Sequence, residues 1–314
     1  MESSSGQAPR ALLVGRNLAV DAVTAEVVKS LRAAGVRSLL LRGPAIAQWL
    51  YAGEVEQIRT YEDLDLLVPP EEIDRCHRAL EAIGFVNRFA AFAPGETAEH
   101  SSEWWRQGSI VAVDLHRTLQ GVRAGSEALW SAMSADTEVL TVADTEVEVP
   151  ADPARALVVV IHAAHHGIAE PKPLRDLELL LDRADPSLWQ ESARLAERLG
   201  ATPAFAAGLL LRPEGARIAE RLGVSDAVDT EAALLSRSAG PTAFGYARLA
   251  ATPGLRRKLA FLLRNLVPTA GFMRYAYPIA RRGRVGLLLA YLWRPLWLLG
   301  HAGPDIFAWL RARR

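Results

Sequence analysis

The stretch "RTYEDLDLLV", residues 59–68, places two aspartates one residue apart at the start of an apolar run. In a β-strand, residues i and i+2 point to the same face, so Asp63 and Asp65 share one face while the leucine between them points to the other. Two carboxylates this close repel each other unless a cation lies between them. Oxygen ligands on a rigid strand suit Mg²⁺. The pair alone is equally compatible with two surface aspartates at a strand end.

A strand, a turn and a helix precede this segment. "RSLLLRG" predicts a short buried strand that ends at Gly43, and "PAIAQWLYAG" predicts a helix that Pro44 opens. Backbone N–H groups at such a turn can bind a phosphate. Arg59 lies four residues before Asp63, where we expect it to meet an anionic ligand.

A second acidic strand is predicted further along the chain, in "GSIVAVDLH", residues 108–116. Its apolar run ends at Asp114, and His116 shares the same face of the strand. We therefore expect Asp114 and His116 to face one common space, where a third carboxylate can join Asp63 and Asp65.

The order of these features resembles the DNA polymerase β-like nucleotidyltransferase superfamily. More narrowly, "LLLRGPAIAQWLY", "RTYEDLDLLVPPEEIDRCHRALEAIGF" and "VDLHRTL" are similar to a bacterial group often described as nucleotidyltransferase family 5. The resemblance covers about residues 30–200. It implies an α+β fold, in which a polymerase β-like core with a mixed β-sheet is followed by a mainly α-helical domain.

The resemblance also implies a reaction. NMP would pass from an NTP, with ATP as the default choice, to a hydroxyl on a small molecule, a protein or RNA, and pyrophosphate would be released. Two Mg²⁺ ions, with Mn²⁺ as an alternative, would assist the transfer. The resemblance assigns the metal ions and catalysis to Asp63, Asp65 and Asp114 and places Gly43 beside the β- and γ-phosphates. With the spacing arguments above, we expect Arg42, Gly43 and Arg59 to bind the nucleotide, and His116, His162 and His166 are the candidates for substrate contact.

The phosphate turn departs from the superfamily pattern. The superfamily has Gly-Ser or Gly-Gly there, whereas this chain has Gly43-Pro44, and proline removes one N–H donor. Arg42 stands where the narrower group has lysine, which changes reach and geometry. A catalytically silent protein of the same fold, acting as a nucleotide sensor or scaffold, is therefore the main alternative function.

Three other segments carry candidate residues. In "HAAHHG", His162 and His166 lie four residues apart on one helical face, which suits either interdomain packing or substrate contact. Trp104 and Trp105 are predicted on a polar loop, where they pack or stack on a base. "RDLELLLDR", residues 175–183, predicts a core helix with solvated charges.

The pattern of the chain changes after Pro150. Before it, residues 1–150 predict a nucleotidyltransferase α/β domain with a disordered tail at 1–10, and "TEVLTVADTEVEVP" predicts a hairpin that turns near Ala143-Asp144. After it, residues 151–314 predict a helical domain with a basic C-terminal region.

Net charge is zero, but the charges are unevenly distributed. Residues 255–314 hold twelve Lys or Arg and one acidic residue, Asp305, whereas the rest of the chain holds 24 basic and 35 acidic residues. A basic segment of this kind is typical of a partner surface for an anion, here a membrane surface or RNA. A membrane-surface module that acts through these helices is a further alternative function.

The most apolar run, "VGLLLAYLWRPLWLLG", covers residues 285–300. Arg294-Pro295 interrupts it, and it is shorter than the ~20 apolar residues of a spanning helix. We therefore expect a buried helix, with a helix on a membrane surface as the alternative. The lone cysteine, Cys76, excludes a disulfide framework and favours the cytoplasm, with peripheral membrane attachment left open.

Overall fold

The computed structural model describes residues 10–53, 58–89, 100–237 and 241–312. The tail predicted as disordered lies outside these ranges except at Arg10, where the first helix begins. Up to Pro150 the described helices are α1 (Arg10–Ala33), α2 (Pro44–Leu50), α3 (Ile73–Ala82) and α4 (Ser126–Ser134). The described strands are β1 (Leu39–Leu40), β2 (Asp63–Leu67), β3 (Val86–Asn87), β4 (Ser101–Trp105), β5 (Ala112–His116), β6 (Thr137–Val142) and β7 (Thr145–Pro150).

Five of the strands form one mixed sheet in the order β1-β2-β5-β4-β3. Strands β2 and β5 are parallel, and the other neighbours are antiparallel. Strands β6 and β7 form a separate hairpin, whose turn residues Ala143 and Asp144 have φ angles of 43° and 60°. Positive φ at both central residues matches the twist of a two-residue hairpin. The predicted hairpin and its turn are confirmed.

Beyond Pro150 the described chain is helical. The helices are α5 (Asp152–His166), α6 (Pro171–Arg183), α7 (Pro186–Arg198), α8 (Thr202–Leu209), α9 (Pro213–Leu222), α10 (Thr230–Ser236), α11 (Pro241–Ala251), α12 (Leu255–Leu266), α13 (Ala270–Ala276) and α14 (Gly283–Ala312). Helix α5 lies at the centre and packs against α6, α7, α8 and α10. The predicted α+β class, a mixed sheet followed by a mainly helical part, is confirmed.

The two faces of the mixed sheet have different neighbours. Leu64 and Leu66 of β2 are fully buried in one cluster with Val27 and Leu31 of α1. Because side chains alternate along a strand, the aspartates of β2 point to the opposite face. On that face Leu67 packs in a second cluster, which includes residues of α5. This cluster contains residues from both sides of position 150, and the predicted domain boundary there stays a prediction.

The predicted loop at the two tryptophans is wrong. Trp104 and Trp105 end strand β4, which pairs with β5 on one side and β3 on the other. Trp104 is buried and Trp105 is about half exposed, as expected for neighbours that point to opposite faces. The polar residues at the start of β4 hide this strand from sequence patterns.

The predicted burial of residues 285–300 is also wrong. Helix α14 runs without a break through Arg294-Pro295, and most of its leucines are exposed. Among the described residues, this 30-residue helix packs chiefly against α11 and the turn that precedes α14. Within the described ranges, no helix combines the length and the apolarity that crossing a membrane requires.

Candidate active site

The pairing of β2 with β5 brings the acidic residues of the two strands together. In this parallel register Asp65 lies opposite Asp114, so both carboxylates leave the same face of the sheet. One ligand atom each of Asp65, Asp114 and His116 lies within 4.8 Å of the others. Asp63 lies two residues before Asp65 on the same face of β2 and lines the same cavity. The structure thus brings together the three predicted aspartates and adds His116 to the tightest group.

Asp65 is the most strongly held of the three carboxylates. It is buried, forms an ion pair with Arg42, and accepts a 2.9 Å hydrogen bond from His116 Nε2. Burial alone would raise the pKa of Asp65, but the Arg42 charge and the His116 hydrogen bond hold it well below its usual range. Asp65 is therefore ionised throughout the physiological pH range.

The other two aspartates are less well compensated. Burial and the neighbouring Asp65 charge raise the pKa of Asp114 to about 6. The same two causes, in the same order, raise the pKa of Asp63 above its ordinary value. A pKa raised in this way means that the fold disfavours the ionised forms of Asp63 and Asp114, which a bound cation would favour. A hard cation with oxygen ligands fits this donor set.

Arg42 bridges the sheet and helix α5. Besides its ion pair with Asp65, its Nη1 atom lies 2.6 Å from His162 Nδ1. Because a guanidinium can only donate, the imidazole nitrogen accepts, and His162 is neutral. Burial, and then the Arg42 charge, lower the pKa of His162 well below its ordinary value. The sequence-based role of Arg42 in nucleotide binding stays a prediction, now with two internal partners beside it.

Arg59 has a partner that the sequence did not suggest. Its guanidinium forms a bidentate pair with Asp176 of α6, through hydrogen bonds of 2.8 and 2.7 Å, and both side chains are 3% exposed. Arg59 Nη1 also donates to the carbonyl of Gly43 at 3.3 Å, and Tyr51 donates to Asp176 at 2.8 Å. The expectation of solvated charges on α6 is wrong for Asp176. Direct nucleotide contact by Arg59 stays a prediction.

The turn at Gly43 has a backbone conformation that only glycine adopts easily. Its φ is 62° and its ψ is −120°, and Pro44 follows as the first residue of α2. Gly43 lines the cavity beside the aspartates, whereas the Arg59 hydrogen bond holds its carbonyl on the protein side.

Five histidines line the cavity around the aspartates: His100, His116, His162, His165 and His166. His162 and His166 are in ring contact at a centroid distance of 4.5 Å, and His100 stacks on His116 at 6.0 Å. Burial is the main cause that lowers the pKa of His166 below its ordinary value and the pKa of His100 to about 4. Neutral imidazoles of this kind can accept a proton or a hydrogen bond at pH 7.

These groups line a cavity of about 440 Å³ between the sheet and helices α5 and α6. Several of its lining residues, among them His100, His165 and Lys172, are absent from the sequence-based site. His165 Nδ1 is buried and finds no hydrogen-bond partner within the described ranges. His165 lies outside the i, i+4 pair of His162 and His166, and no local sequence pattern marks Lys172 as a site residue. The main lining residues are Arg42, Gly43, Arg59, Asp63, Asp65, Asp114, His116, His162, His165, His166 and Lys172.

Comparison with known proteins gives a family. A family model described as an uncharacterised nucleotidyltransferase matches residues 7–214, about two thirds of the chain. The search of curated proteins gives no match to this chain.

Several solved structures are similar in part. The solution structure of the antibiotic-resistance factor ANT(2″)-Ia has 12% identity, covers 58% of this chain and 93% of its own, and gives a TM-score of 0.41. ANT(2″)-Ia in complex with adenylyl-2″-tobramycin has 13% identity, with 57% and 97% covered and a TM-score of 0.39. An antigenic nucleotidyltransferase-like protein from Paracoccidioides brasiliensis has 14% identity, with 64% and 92% covered and a TM-score of 0.40. Likenesses this weak carry no argument, but the family match covers most of the chain: this protein belongs to the uncharacterised nucleotidyltransferase family.

Proposed function

We propose that this chain is a Mg²⁺-dependent nucleotidyltransferase that transfers NMP from an NTP to a hydroxyl acceptor. The observation that carries the proposal is the register of β2 and β5, which places Asp65 opposite Asp114 on the wall of a cavity. In the reaction, the acceptor oxygen forms a bond to the α-phosphorus, and the bond from that phosphorus to the bridging oxygen breaks. Pyrophosphate leaves, and the acceptor hydroxyl loses its proton.

Asp63, Asp65 and Asp114 would hold the metal. Their oxygen ligands suit Mg²⁺ or Mn²⁺, and a bound cation would favour the ionised forms of Asp63 and Asp114, whose pKa values are raised by burial and then by the Asp65 charge. When bound, two divalent cations would stabilise the entering and leaving oxygens.

The other cavity residues position substrate in this proposal. Gly43 would lie beside the β- and γ-phosphates, and Arg42, Arg59 and Lys172 would add positive charge along that wall. The carboxylate of Asp114 lines the cavity beside Asp65 and would accept the proton that the acceptor hydroxyl loses.

The histidines complete the acceptor side. His116, His162 and His166 would contact the substrate, and His166, whose pKa is lowered, is suited to accept a hydrogen bond from it. ATP is the first nucleotide to test, and the acceptor belongs to a small molecule, a protein or RNA. We place this activity in the cytoplasm.

One observation favours a second function. The Arg42 guanidinium already pairs with Asp65, and the chain has Pro44 where a donor would help bind phosphate. If Arg42 keeps its ion pair with Asp65 when nucleotide enters, Asp65 is less available to the catalytic metal, and the cavity would bind nucleotide without transferring NMP. The chain would then be a nucleotide sensor or scaffold.

Calorimetric titration of ATP, GTP, CTP and UTP with Mg²⁺ tests the proposal. We expect the wild type to bind one or more nucleotides only with metal, and Asp63→Asn/Asp65→Asn to lose that binding. The matched control is Asp74→Asn/Asp182→Asn, which removes two exposed carboxylates and should bind like the wild type. A wild type that binds no nucleotide contradicts both functions.

A second assay separates the two functions. Pyrophosphate release from the preferred NTP, with water as a slow acceptor, is expected from a transferase and absent from a sensor. Asp114→Asn should abolish this release while the protein stays folded. Metal-dependent binding without pyrophosphate release would favour the sensor.

A further inference from the structure

Helix α12 exposes an apolar face to solvent. Its leucines at 255, 259, 262 and 266 follow the i, i+4, i+7, i+11 spacing of one helical face, and all four are exposed. In the described structure, α12 contains no buried residue. An isolated helix of twelve residues is only marginally stable in water. These four leucines line two apolar cavities together with residues of α11 and α14, so this face of α12 looks toward its helical neighbours.

Helix α14 has a second exposed apolar face. Gly286, Ala290 and Arg294 lie on the packed side of α14, and the opposite side is apolar and open to solvent. From Val285 to Leu310 the open face is about 38 Å long at 1.5 Å per residue. Its exposed residues are Val285, Leu288, Leu289, Leu292, Trp293, Leu296, Leu299, Ile306, Phe307 and Leu310.

Basic residues flank both apolar faces. Arg256, Arg257 and Lys258 lie in the first turn of α12, and Arg282 and Arg284 lie where α14 begins. The sequence of this whole region contains one acidic residue. Exposed apolar side chains next to a strong positive charge are complementary to an anionic lipid bilayer, in which charged headgroups lie over apolar acyl chains.

The helices of this region enclose an apolar cavity of about 750 Å³. Phe261, Phe272 and Trp297 are among its lining residues. Arg294 lies at its wall, donates to the carbonyl of Asn265 at 2.8 Å, and places its guanidinium 5.1 Å from the Phe272 ring centre. These contacts tie α14 to α12 and α13, so the basic residues of α12 belong to the same packed unit as the open face of α14.

We propose that the open face of α14, together with the basic residues around it, binds the surface of an anionic lipid bilayer. The apolar side chains would enter the boundary between headgroups and acyl chains, about 5–10 Å deep, and the flanking arginines would pair with lipid phosphates. The exposed side chains are mostly leucine, which suits acyl chains better than the base stacking that single-stranded RNA requires. A second copy of the chain would bring two strongly basic surfaces together. This proposal does not depend on nucleotide transfer.

Vesicle flotation of the full chain tests the proposal. The vesicles contain phosphatidylcholine alone or phosphatidylcholine with phosphatidylglycerol, at low salt. We expect flotation with the anionic vesicles, and loss of at least about tenfold in binding for Leu292→Ser/Leu296→Ser/Leu299→Ser. Arg256→Gln/Arg257→Gln should bind about 25-fold more weakly, since each basic residue near an anionic surface contributes about fivefold.

The control removes three equally exposed apolar side chains elsewhere. Ile110, Val139 and Ile168 are 73, 60 and 66% exposed, and Leu292, Leu296 and Leu299 are 63, 60 and 71% exposed. Ile110→Ser/Val139→Ser/Ile168→Ser should float like the wild type. Circular dichroism of each variant checks that it is folded.

Three results would overturn the proposal. The first is no flotation of the wild type with anionic vesicles, and the second is equal flotation of the leucine variant and its control. The third is a different ligand under the same conditions: RNA binding without flotation, or a concentration-dependent dimer that the leucine variant loses.

Discussion

The buried pair of Arg59 and Asp176 makes a strong prediction about stability. Asp176→Asn removes the negative charge but nearly keeps the shape of the side chain. Arg59 then stays buried at 3% exposure, facing an amide whose NH₂ group cannot accept its hydrogen bonds. Asp176 also accepts a hydrogen bond from Tyr51, so three hydrogen bonds depend on this carboxylate.

The expected loss is about 3–5 kcal/mol of unfolding free energy. Breaking a buried ion pair by removing one partner has this effect, because it leaves an uncompensated charge in the protein interior. Since the main loss comes from that charge, Arg59→Met/Asp176→Leu should recover most of the stability. Nucleotide binding should weaken in Asp176→Asn as well, because Arg59 holds the carbonyl of Gly43.

Urea unfolding followed by circular dichroism measures the effect. The matched control is Glu214→Gln, which breaks the exposed pair with Arg217, whose side chains are 52 and 69% exposed; it should change stability by less than about 1 kcal/mol. An Asp176→Asn protein within about 1 kcal/mol of the wild type would refute the reasoning. So would a double variant that is no more stable than the single one.

Three further predictions concern the cavity. Burial and the Asp65 charge raise the pKa of Asp114 from 3.8 to about 6, so the fold disfavours its ionised form. Asp114→Asn should therefore stabilise the metal-free protein by about 1–3 kcal/mol at pH 8, where Asp114 is ionised, but not at pH 3.5, where it is protonated. Urea unfolding in the presence of a chelator measures this difference. Binding of Mn²⁺ requires ionised carboxylates, so its affinity should fall at least about tenfold from pH 7 to pH 5; a calorimetric titration that shows no pH dependence would contradict this. Gly43→Ala should destabilise the protein by about 1–3 kcal/mol because φ is +62°. Gly15→Ala should not destabilise it, because Gly15 lies in the N-terminal part of α1, where an added Cβ meets open space.

Local patterns were enough to predict several elements of the fold. The alternation in "LDLLV" predicts that Asp63 and Asp65 share a face, and the structure has them there on β2. The turn at Ala143-Asp144 follows from alternation on both sides of a short polar break. In each case the cause is local, because backbone periodicity acts over a few residues.

The exposure of α14 shows where pattern reasoning failed. An apolar run of this length is normally buried, and nothing in residues 285–300 tells whether another element covers it. In the structure, one side packs against its neighbours, and the other side lies open. Burial is a property of the assembled fold, so a single segment cannot specify it.

By itself, the sequence determined the order of the elements, the shared face of Asp63 and Asp65, and the acidic end of the later strand. Tertiary structure alone decided which groups meet: Asp65 faces Asp114 through the parallel register of β2 and β5, and Arg59 reaches Asp176 across 117 residues of chain. The physical reason is distance along the chain. Hydrogen-bonded geometry repeats locally and leaves a periodic pattern, whereas strand register and buried ion pairs depend on how distant segments pack, and no local pattern records them.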